Sequence, residues 1–233
     1  NMRGTIECLP ADVFVSCACI SYNGPFSGTF RKELVDRWVG LIKMKELPIS
    51  ENYQITNTLG DPIVMREWII EALPSDTVSV ENAIFATEGH RWPLMIDPQE
   101  QASKWLQKLL RKSKLKLTKL TESNFTYDMI GAIKNGYPVL LQDLEDSLPA
   151  VLDSVLGKEI QIIDNLEMVK FGTDTINYDP QFKLFMVTKA SNPNFLPEIF
   201  IKVNIINFTV TFEGLQEQLL AMVVKNEREE VEK

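Results

Sequence analysis

The stretch that decides the fold is residues 91–112, which read RWPLMIDPQEQASKWLQKLLRK. Its apolar run, residues 92–96, predicts a buried strand. A tight polar segment follows, and apolar side chains then recur at positions 102, 105, 106, 109 and 110. This spacing of three and four residues predicts an amphipathic helix. A strand, a tight loop and a helix in this order are typical of a phosphate-binding loop.

The polar segment, residues 97–104, aligns with the pattern GxxxxGK[ST], but the residues that would bind phosphate are replaced. Asp97 and Ala102 stand where the two glycines belong, Ser103 replaces the lysine, and Lys104 takes the position of the Ser/Thr. The glycines let backbone N–H groups curl around the phosphates, the lysine neutralises their charge, and the hydroxyl holds Mg²⁺. Lys104 comes one position late, which turns it about 100° away from the direction of that lysine. We expect a vestigial loop, and the sequence leaves open whether its cleft is open or filled.

A second apolar run, residues 138–141, is followed by Gln142 and Asp143. In a working site an acidic residue after such a strand helps to hold Mg²⁺. Gln142 supplies no anionic charge, and Asp143 is shorter than the glutamate that would polarise water. The two degenerate motifs together predict no catalytic, cofactor-binding or metal-binding residues. Two other interpretations stay open: a weak NTPase with a shifted loop that uses Lys104 and Asp143, and an unrelated α/β domain.

Composition narrows the class of protein further. The 233 residues include 24 basic and 32 acidic side chains, a net charge of −8, which argues against a nucleic-acid partner. No apolar run approaches the roughly 18–20 residues that span a bilayer, so we expect no membrane partner. Cys8, Cys17 and Cys19 fit a reducing compartment and are expected to be buried free thiols. His90 is the only histidine, which makes a hydrolase triad or a zinc cluster unexpected.

The periodicity along the chain predicts three segments. Residues 1–48 are a helical segment, residues 49–212 an α/β large subdomain, and residues 213–233 the start of a C-terminal helix. Alternating strands and helices predict a mostly parallel sheet with helices on both faces. Residues 159–180 alternate apolar and polar side chains, which predicts a β-hairpin insertion. Residues 79–82 are predicted to form a short turn.

Basic residues cluster in the segment 104–119, with no acidic residue among them. They are Lys104, Lys108, Arg111, Lys112, Lys114, Lys116 and Lys119. One interpretation is a surface for an acidic partner, in which case the chain is a free-standing interaction domain. The other is a solvated helix face whose basic end is favoured by the helix dipole.

Long phrases of the chain resemble the fifth AAA+ module of a dynein heavy chain of the axonemal type. They include RWPLMIDPQ (91–99), YPVLLQDLED (137–146), NPNFLPE (192–198) and KVNIINFTVTFEGL (202–215). The segment 16–38, SCACISYNGPFSGTFRKELVDRW, resembles the stretch that follows the returning helix of the stalk. The likeness extends over nearly the whole chain.

The resemblance implies an AAA+ large subdomain with a P-loop NTPase-like sheet, in a ring of such modules within one polypeptide. The parent would be an ATP-hydrolysing microtubule motor of a ciliary or flagellar axoneme. This module would be structural and non-hydrolysing, with ATP and Mg²⁺ bound at other modules. Its partners would be the neighbouring modules, the linker, and the stalk and buttress, with the microtubule reached through the stalk. Where the arginine finger and sensor region would fall, residues 188–198 contain no arginine, and Lys189 is their only cation.

Overall fold

The computed structural model describes residues 2–145, 147–210 and 212–227. The N-terminal part is helical, with α1 (Met2–Ala18), a π-helical turn (Cys19–Asn23), α2 (Gly28–Met44), α3 (Ile55–Leu59), α4 (Pro62–Ile70) and α5 (Thr77–Glu88). Asp61 caps α4 by accepting a hydrogen bond from the Ile63 N–H at 2.8 Å, and Pro62 occupies the first turn.

Strands and helices then alternate along the chain. In order they are β1 (Pro93–Ile96), α6 (Gln101–Leu109), β2 (Lys116–Lys119), α7 (Phe125–Asn135), β3 (Val139–Gln142), α8 (Asp153–Leu156), β4 (Ile160–Ile163), β5 (Leu166–Phe171), β6 (Asp174–Asn177), β7 (Leu184–Thr188), α9 (Pro197–Lys202), β8 (Asn204–Asn207) and α10 (Phe212–Glu227). Gly136 ends α7 with a φ of 68°, the left-handed conformation that glycine adopts without strain.

The central sheet has five strands in the order β2-β3-β7-β1-β8, and every neighbouring pair is parallel. β1 therefore lies inside the sheet, between β7 and β8, although it comes first in the chain. After β1 the chain crosses to β2 at one edge of the sheet and returns through β3 and β7. It then passes β1 and forms β8 at the other edge. The predicted fold class, a parallel sheet flanked by helices, is confirmed.

Alternate residues of the strands enter two separate cores, one on each face of the sheet. Leu94, Leu141 and Met186 belong to one buried cluster. Their chain neighbours Met95 and Leu140 belong to the other, which also receives Val15 and Cys19 from the N-terminal helical segment. Burial on both faces explains why these strands read as continuous apolar runs.

The predicted β-hairpin insertion is confirmed: it is a three-stranded antiparallel sheet, β4-β5-β6. Asp164 and Asn165 both have positive φ (50° and 62°), as a two-residue hairpin turn requires. Gly172, with a φ of 63°, makes the second turn. In the third strand, β6, Ile176 is the only buried residue.

Two predictions are wrong. Residues 79–82 are part of α5, which Asp76 caps by accepting a hydrogen bond from the Ser79 N–H at 3.0 Å. This helix is buried on most sides, so no polar face reveals its period. The thiols are not all buried: Cys19 is, but Cys17 is exposed and Cys8 is half-buried. Within the described residues no helix is long and apolar enough to cross a membrane.

Gly24 is packed against the edge strand β8, where its carbonyl oxygen accepts a hydrogen bond from the Asn207 N–H at 2.9 Å. A Cβ at Gly24 would lie 2.2 Å from the carbonyl oxygen of Ile205, so Gly24→Ala must displace backbone. We expect the free energy of unfolding to fall by about 2 kcal/mol, as for other overpacked sites.

The control is Gly40→Ala, because a Cβ at Gly40 in the middle of α2 meets nothing within 4 Å. That change should raise stability by about 0.5–1 kcal/mol, since alanine is the better helix former. Urea unfolding of both variants measures the difference. Equal effects of the two changes would contradict the close approach of Gly24 to β8.

Candidate functional site

In parallel sheets of this kind, ligands bind in the crevice outside the carboxyl ends of the strands, where the strand order switches. Here that point is the end of β1, next to β7 and β8. The segment that follows β1 is the vestigial loop, and it leads directly into the N-terminus of α6. The N-terminal N–H groups of a helix form a ready-made binding site for an anion such as a phosphate.

The side chain of Asp97 occupies this anion site. Its carboxylate is fully buried, and its Oδ1 accepts a hydrogen bond from the Gln101 N–H at 2.7 Å. Its Oδ2 accepts two more, from the Ser103 N–H at 2.9 Å and the Ser103 hydroxyl at 3.0 Å. The backbone N–H of Asp97 is bonded to the Thr188 carbonyl at 2.9 Å, which fixes the residue to β7. The sequence did not decide whether the cleft beside the loop is open or filled. In the structure, the loop's own carboxylate fills it.

This arrangement gives the helix an internal anion. The first N–H groups of α6 have no partner within the helix, and the positive end of the helix dipole favours negative charge there. Asp97 supplies both the acceptor atoms and the charge. An incoming phosphate would have to displace a buried carboxylate that already accepts three hydrogen bonds.

Of the other replaced residues of the loop, Ala102 and Ser103 are buried and Lys104 is exposed. Ala102 is fully buried and belongs to the core cluster that contains Trp105. Ser103, in place of the lysine, is buried against Asp97. Lys104 is exposed to solvent, in agreement with the predicted turn away from the loop.

Aromatic packing holds α6 in place behind the loop. Trp105 is fully buried, with its ring edge-on to Trp68 at 5.9 Å between centroids. On its other side it stacks on Phe208 at 6.3 Å. The two contacts connect α6 to α4 and to the segment after β8, so the helix N-terminus that Asp97 caps is part of the buried core.

A small cavity adjoins the start of α6, directly after the loop. A cavity of about 10 Å³ lies between the start of α5, the start of α6 and α10, where Gln101 and Gln218 meet in a side-chain hydrogen bond at 3.2 Å. Such a volume holds about one water molecule. Small-molecule sites usually enclose about 300–1,000 Å³.

The vestigial metal strand ends in a network of ion pairs. Gln142 is the last residue of β3, and Asp143 follows it. The Asp143 carboxylate lies 2.6 Å from Lys119 Nζ and 3.6 Å from Lys189 Nζ. Lys189 Nζ in turn lies 2.7 Å from the Oε1 of Glu100. The structure therefore brings Asp143 and Lys189 together with two residues that sequence reasoning did not assign to the site.

The charges of this network shift the ionisation of its members. The hydrogen bond from Lys119 lowers the pKa of Asp143. The hydrogen bond with Lys189 lowers the pKa of Glu100 and raises that of Lys189. These shifts favour the charged forms of Asp143, Glu100 and Lys189, and the carboxylate oxygens of Asp143 face ammonium groups. One sequence signal could have revealed the pairs: Lys119, Asp143 and Lys189 all stand at the carboxyl ends of parallel strands.

The basic residues of segment 104–119 lie mostly in solvent. Exposed members are Lys104, Lys108, Arg111, Lys112, Lys114 and Lys116. Lys114 contacts the Tyr137 ring at 5.2 Å from its centroid, and Lys119 is paired with Asp143. β2 is an edge strand, and exposed lysines are a common means of keeping such an edge from pairing with other chains.

Residues 66–233 match the model of a protein family described as the ATP-binding dynein motor region. The chain is 43% identical over 227 residues to human "Dynein axonemal heavy chain 6", an alignment that covers 97% of this chain and 6% of that protein. It is 42% identical over 230 residues to the Chlamydomonas reinhardtii "Dynein-1-beta heavy chain, flagellar inner arm I1 complex", with coverage of 98% and 5%.

Mouse "Dynein axonemal heavy chain 2" is 39% identical over 225 residues, covering 96% of this chain and 5% of its own length. The chain thus spans about one twentieth of the length of the relatives it matches. The printed names describe those relatives as axonemal or, for the Chlamydomonas reinhardtii protein, as part of a flagellar inner arm. The long, nearly complete alignments and the observed sheet lead to one conclusion: the chain belongs to the motor region of the axonemal dynein heavy chain family.

Proposed function

We propose that the chain is a structural, non-hydrolysing module of a dynein motor ring, equivalent to the fifth AAA+ module. In this role it binds no nucleotide and passes on conformational changes that ATP drives at other modules of the same polypeptide. Its contacts would be with the neighbouring modules, the linker, and the stalk and buttress. The microtubule would be reached only through the stalk of the parent protein.

The observation that carries this proposal is the buried carboxylate of Asp97 at the N-terminus of α6. A working phosphate loop offers these N–H groups to the β-phosphate of a nucleotide. In this chain they are already bonded to an anion that is covalently part of the loop. Binding a phosphate would bury a second negative charge beside the first, and Lys104, the lysine within the loop segment itself, is exposed.

The metal strand supports the same function. Gln142 has no charge with which to orient the water shell of Mg²⁺, and Asp143 is engaged by Lys119 and Lys189. A magnesium ion would have to compete with two ammonium groups for one carboxylate. Neither half of the nucleotide site thus retains the arrangement that hydrolysis requires.

The shifted-loop alternative needs Lys104 to approach the phosphates and Asp143 to approach the metal. Lys104 lies on the exposed face of α6, and the side chain of Asp143 is directed to two lysines. Both side chains would have to leave their observed positions, and nothing in the structure favours such a movement. The structural module is the function that the geometry supports best.

Isothermal titration calorimetry with Mg-ATP and Mg-ADP tests the proposal. We expect no saturable heat up to millimolar nucleotide, which corresponds to binding weaker than about −4 kcal/mol. The matched variant is Lys104→Ala, which removes the cation that the shifted-loop alternative requires. Micromolar binding by the unchanged chain would contradict the proposal, and its loss in Lys104→Ala would support the alternative.

A further inference from the structure

Four charged side chains form a continuous chain of contacts across the carboxyl edge of the central sheet. Lys119 Nζ lies 2.6 Å from Asp143 Oδ2, Asp143 Oδ1 lies 3.6 Å from Lys189 Nζ, and Lys189 Nζ lies 2.7 Å from Glu100 Oε1. Among the described residues, Lys119 and Glu100 at the two ends of this series are linked through Asp143 and Lys189. The signs alternate from one end to the other, so every neighbouring pair attracts.

The order of these residues in space follows the order of the strands. Lys119 ends β2, Asp143 follows β3, Lys189 follows β7, and Glu100 lies in the loop after β1. The sheet order over the same region is β2-β3-β7-β1. Each of the four strand ends therefore contributes one charge, and each charge is paired with that of the adjacent strand. The chain of contacts connects four segments that are far apart in sequence.

The backbone at both acidic members is strained. Glu100 has a φ of 59° and Asp143 a φ of 56°, a left-handed conformation that is unfavourable for residues with a Cβ. Strain of this kind persists only where the surroundings fix the conformation, and it is typical of functional sites. Both strained residues direct a carboxylate to the same ammonium group, that of Lys189. The ion pairs and the strained loops are thus parts of one arrangement.

We propose that this chain of ion pairs, which we call the strand-end clasp (Lys119, Asp143, Lys189 and Glu100), takes over the mechanical role of a bound nucleotide. In a working module the nucleotide and Mg²⁺ connect the loops after the P-loop strand and the metal strand. Here the clasp connects these loops directly and also includes the loop after β7. The module consequently moves as one rigid body without a ligand. This inference rests on the proposed function, because a nucleotide would occupy the same edge of the sheet.

The clasp is expected to control local opening more than global stability. Its members are between about one third and just over one half exposed, and exposed ion pairs contribute little to the free energy of unfolding. Local opening of a loop, however, costs far less free energy than global unfolding. The same ion pairs therefore contribute a larger share of the free energy of local opening. Three hydrogen-bonded amides report on the loops: Glu100 N–H to the Asp97 carbonyl (3.2 Å), Leu144 N–H to the Val187 carbonyl (3.1 Å), and Ala190 N–H to Thr188 Oγ1 (3.3 Å).

Hydrogen exchange followed by mass spectrometry, with and without Lys189→Met, tests the clasp. This change breaks two of the three contacts at once. We expect peptides containing Glu100, Leu144 and Ala190 to exchange about fivefold faster, as the loss of two exposed ion pairs would allow. The control is Lys183→Met, which removes the same charge at an exposed residue with no ion pair in the described part of the chain. Lys189→Arg, which keeps the charge, should restore slow exchange.

The test is decided by which loops show faster hydrogen exchange in Lys189→Met. Faster exchange at Glu100 and Leu144, which lie on loops distant in sequence from residue 189, would support a clasp that couples strand ends. Faster exchange confined to the loop at residue 189, or equal to that of Lys183→Met, would overturn it. A nucleotide titration reports on the proposed function separately, so failure of the clasp leaves an inert site intact. Exchange of the unchanged chain in 1 M salt, where the screening length is about 3 Å, should resemble that of Lys189→Met.

Discussion

Asp97→Ala is expected to lower the free energy of unfolding by about 3–5 kcal/mol, because it leaves the donors at the start of α6 without an acceptor. The variant loses the hydrogen bonds from the Gln101 N–H, the Ser103 N–H and the Ser103 hydroxyl. Each hydrogen bond to a charged group contributes roughly 1.5–3 kcal/mol, and the three are not independent. Urea unfolding followed by circular dichroism measures the loss.

Two further variants separate the causes of this effect. Asp97→Asn keeps the size of the side chain but presents an NH₂ group to one of the N–H donors, so most of the destabilisation should remain. Asp61→Ala removes an exposed helix cap that accepts one hydrogen bond, and about 1 kcal/mol should be lost. If Asp97→Ala costs no more than Asp61→Ala, Asp97 is an ordinary cap and the internal anion has no special role.

Arg31 is the buried charge that fixes the N-terminal helical segment to the α/β unit. Only 2% of its surface is exposed. It donates hydrogen bonds of 2.6–3.0 Å to the carbonyl oxygens of Asn23, Gly24 and Phe26 and to Asn82 Oδ1. Asn82 in turn donates to the Asn207 carbonyl at the end of β8 at 2.8 Å. Burial lowers the pKa of Arg31, and the Glu81 carboxylate at 3.4 Å opposes that shift.

Arg31→Ala should destabilise the chain by about 3–5 kcal/mol, the usual effect of removing one partner from a buried charged network. Arg31→Lys should recover little of this loss, because an ammonium group lacks the planar fork that reaches five acceptors, Glu81 included. Arg37→Ala on the exposed face of the same helix is the control and should change stability by less than about 0.5 kcal/mol. The measurement is again urea unfolding, and equal effects at the two arginines would contradict the assigned role of Arg31.

The sequence predicts the sheet well because its strands obey a simple rule. A strand buried on both faces is a short apolar run, and the runs ending at residues 96 and 141 are both strands in the structure. The helix of residues 101–109 shows its period because one face remains in solvent. α5 lacks such a face, and the same reasoning failed there. Periodicity therefore predicts a helix only where a polar, solvent-facing side alternates with an apolar, buried side.

From the sequence, the candidate site can be recognised only by the phosphate-binding and metal-binding residues that its two motifs lack. The motif shows that Asp97 cannot act as a phosphate-loop glycine, but hydrogen bonding to Gln101 and Ser103 depends on the residue at which α6 begins. Helix boundaries are the least certain part of any sequence-based prediction. Two of the contacts of Arg31 and the clasp, Arg31 with Asn82 and Glu100 with Lys189, join residues more than 50 positions apart. Only the folded arrangement of the strands reveals them.

The most direct test of the central claim is the response of Asp97→Gly to inorganic phosphate. Glycine is the residue that a phosphate loop carries at this position, and it vacates the place of the carboxylate. Phosphate should raise the thermal midpoint of Asp97→Gly above its value in sodium chloride of equal ionic strength. The unchanged chain should have the same thermal midpoint in both salts. If the two proteins respond equally to phosphate, the carboxylate of Asp97 does not occupy a phosphate site, and the account of an internally filled loop is wrong.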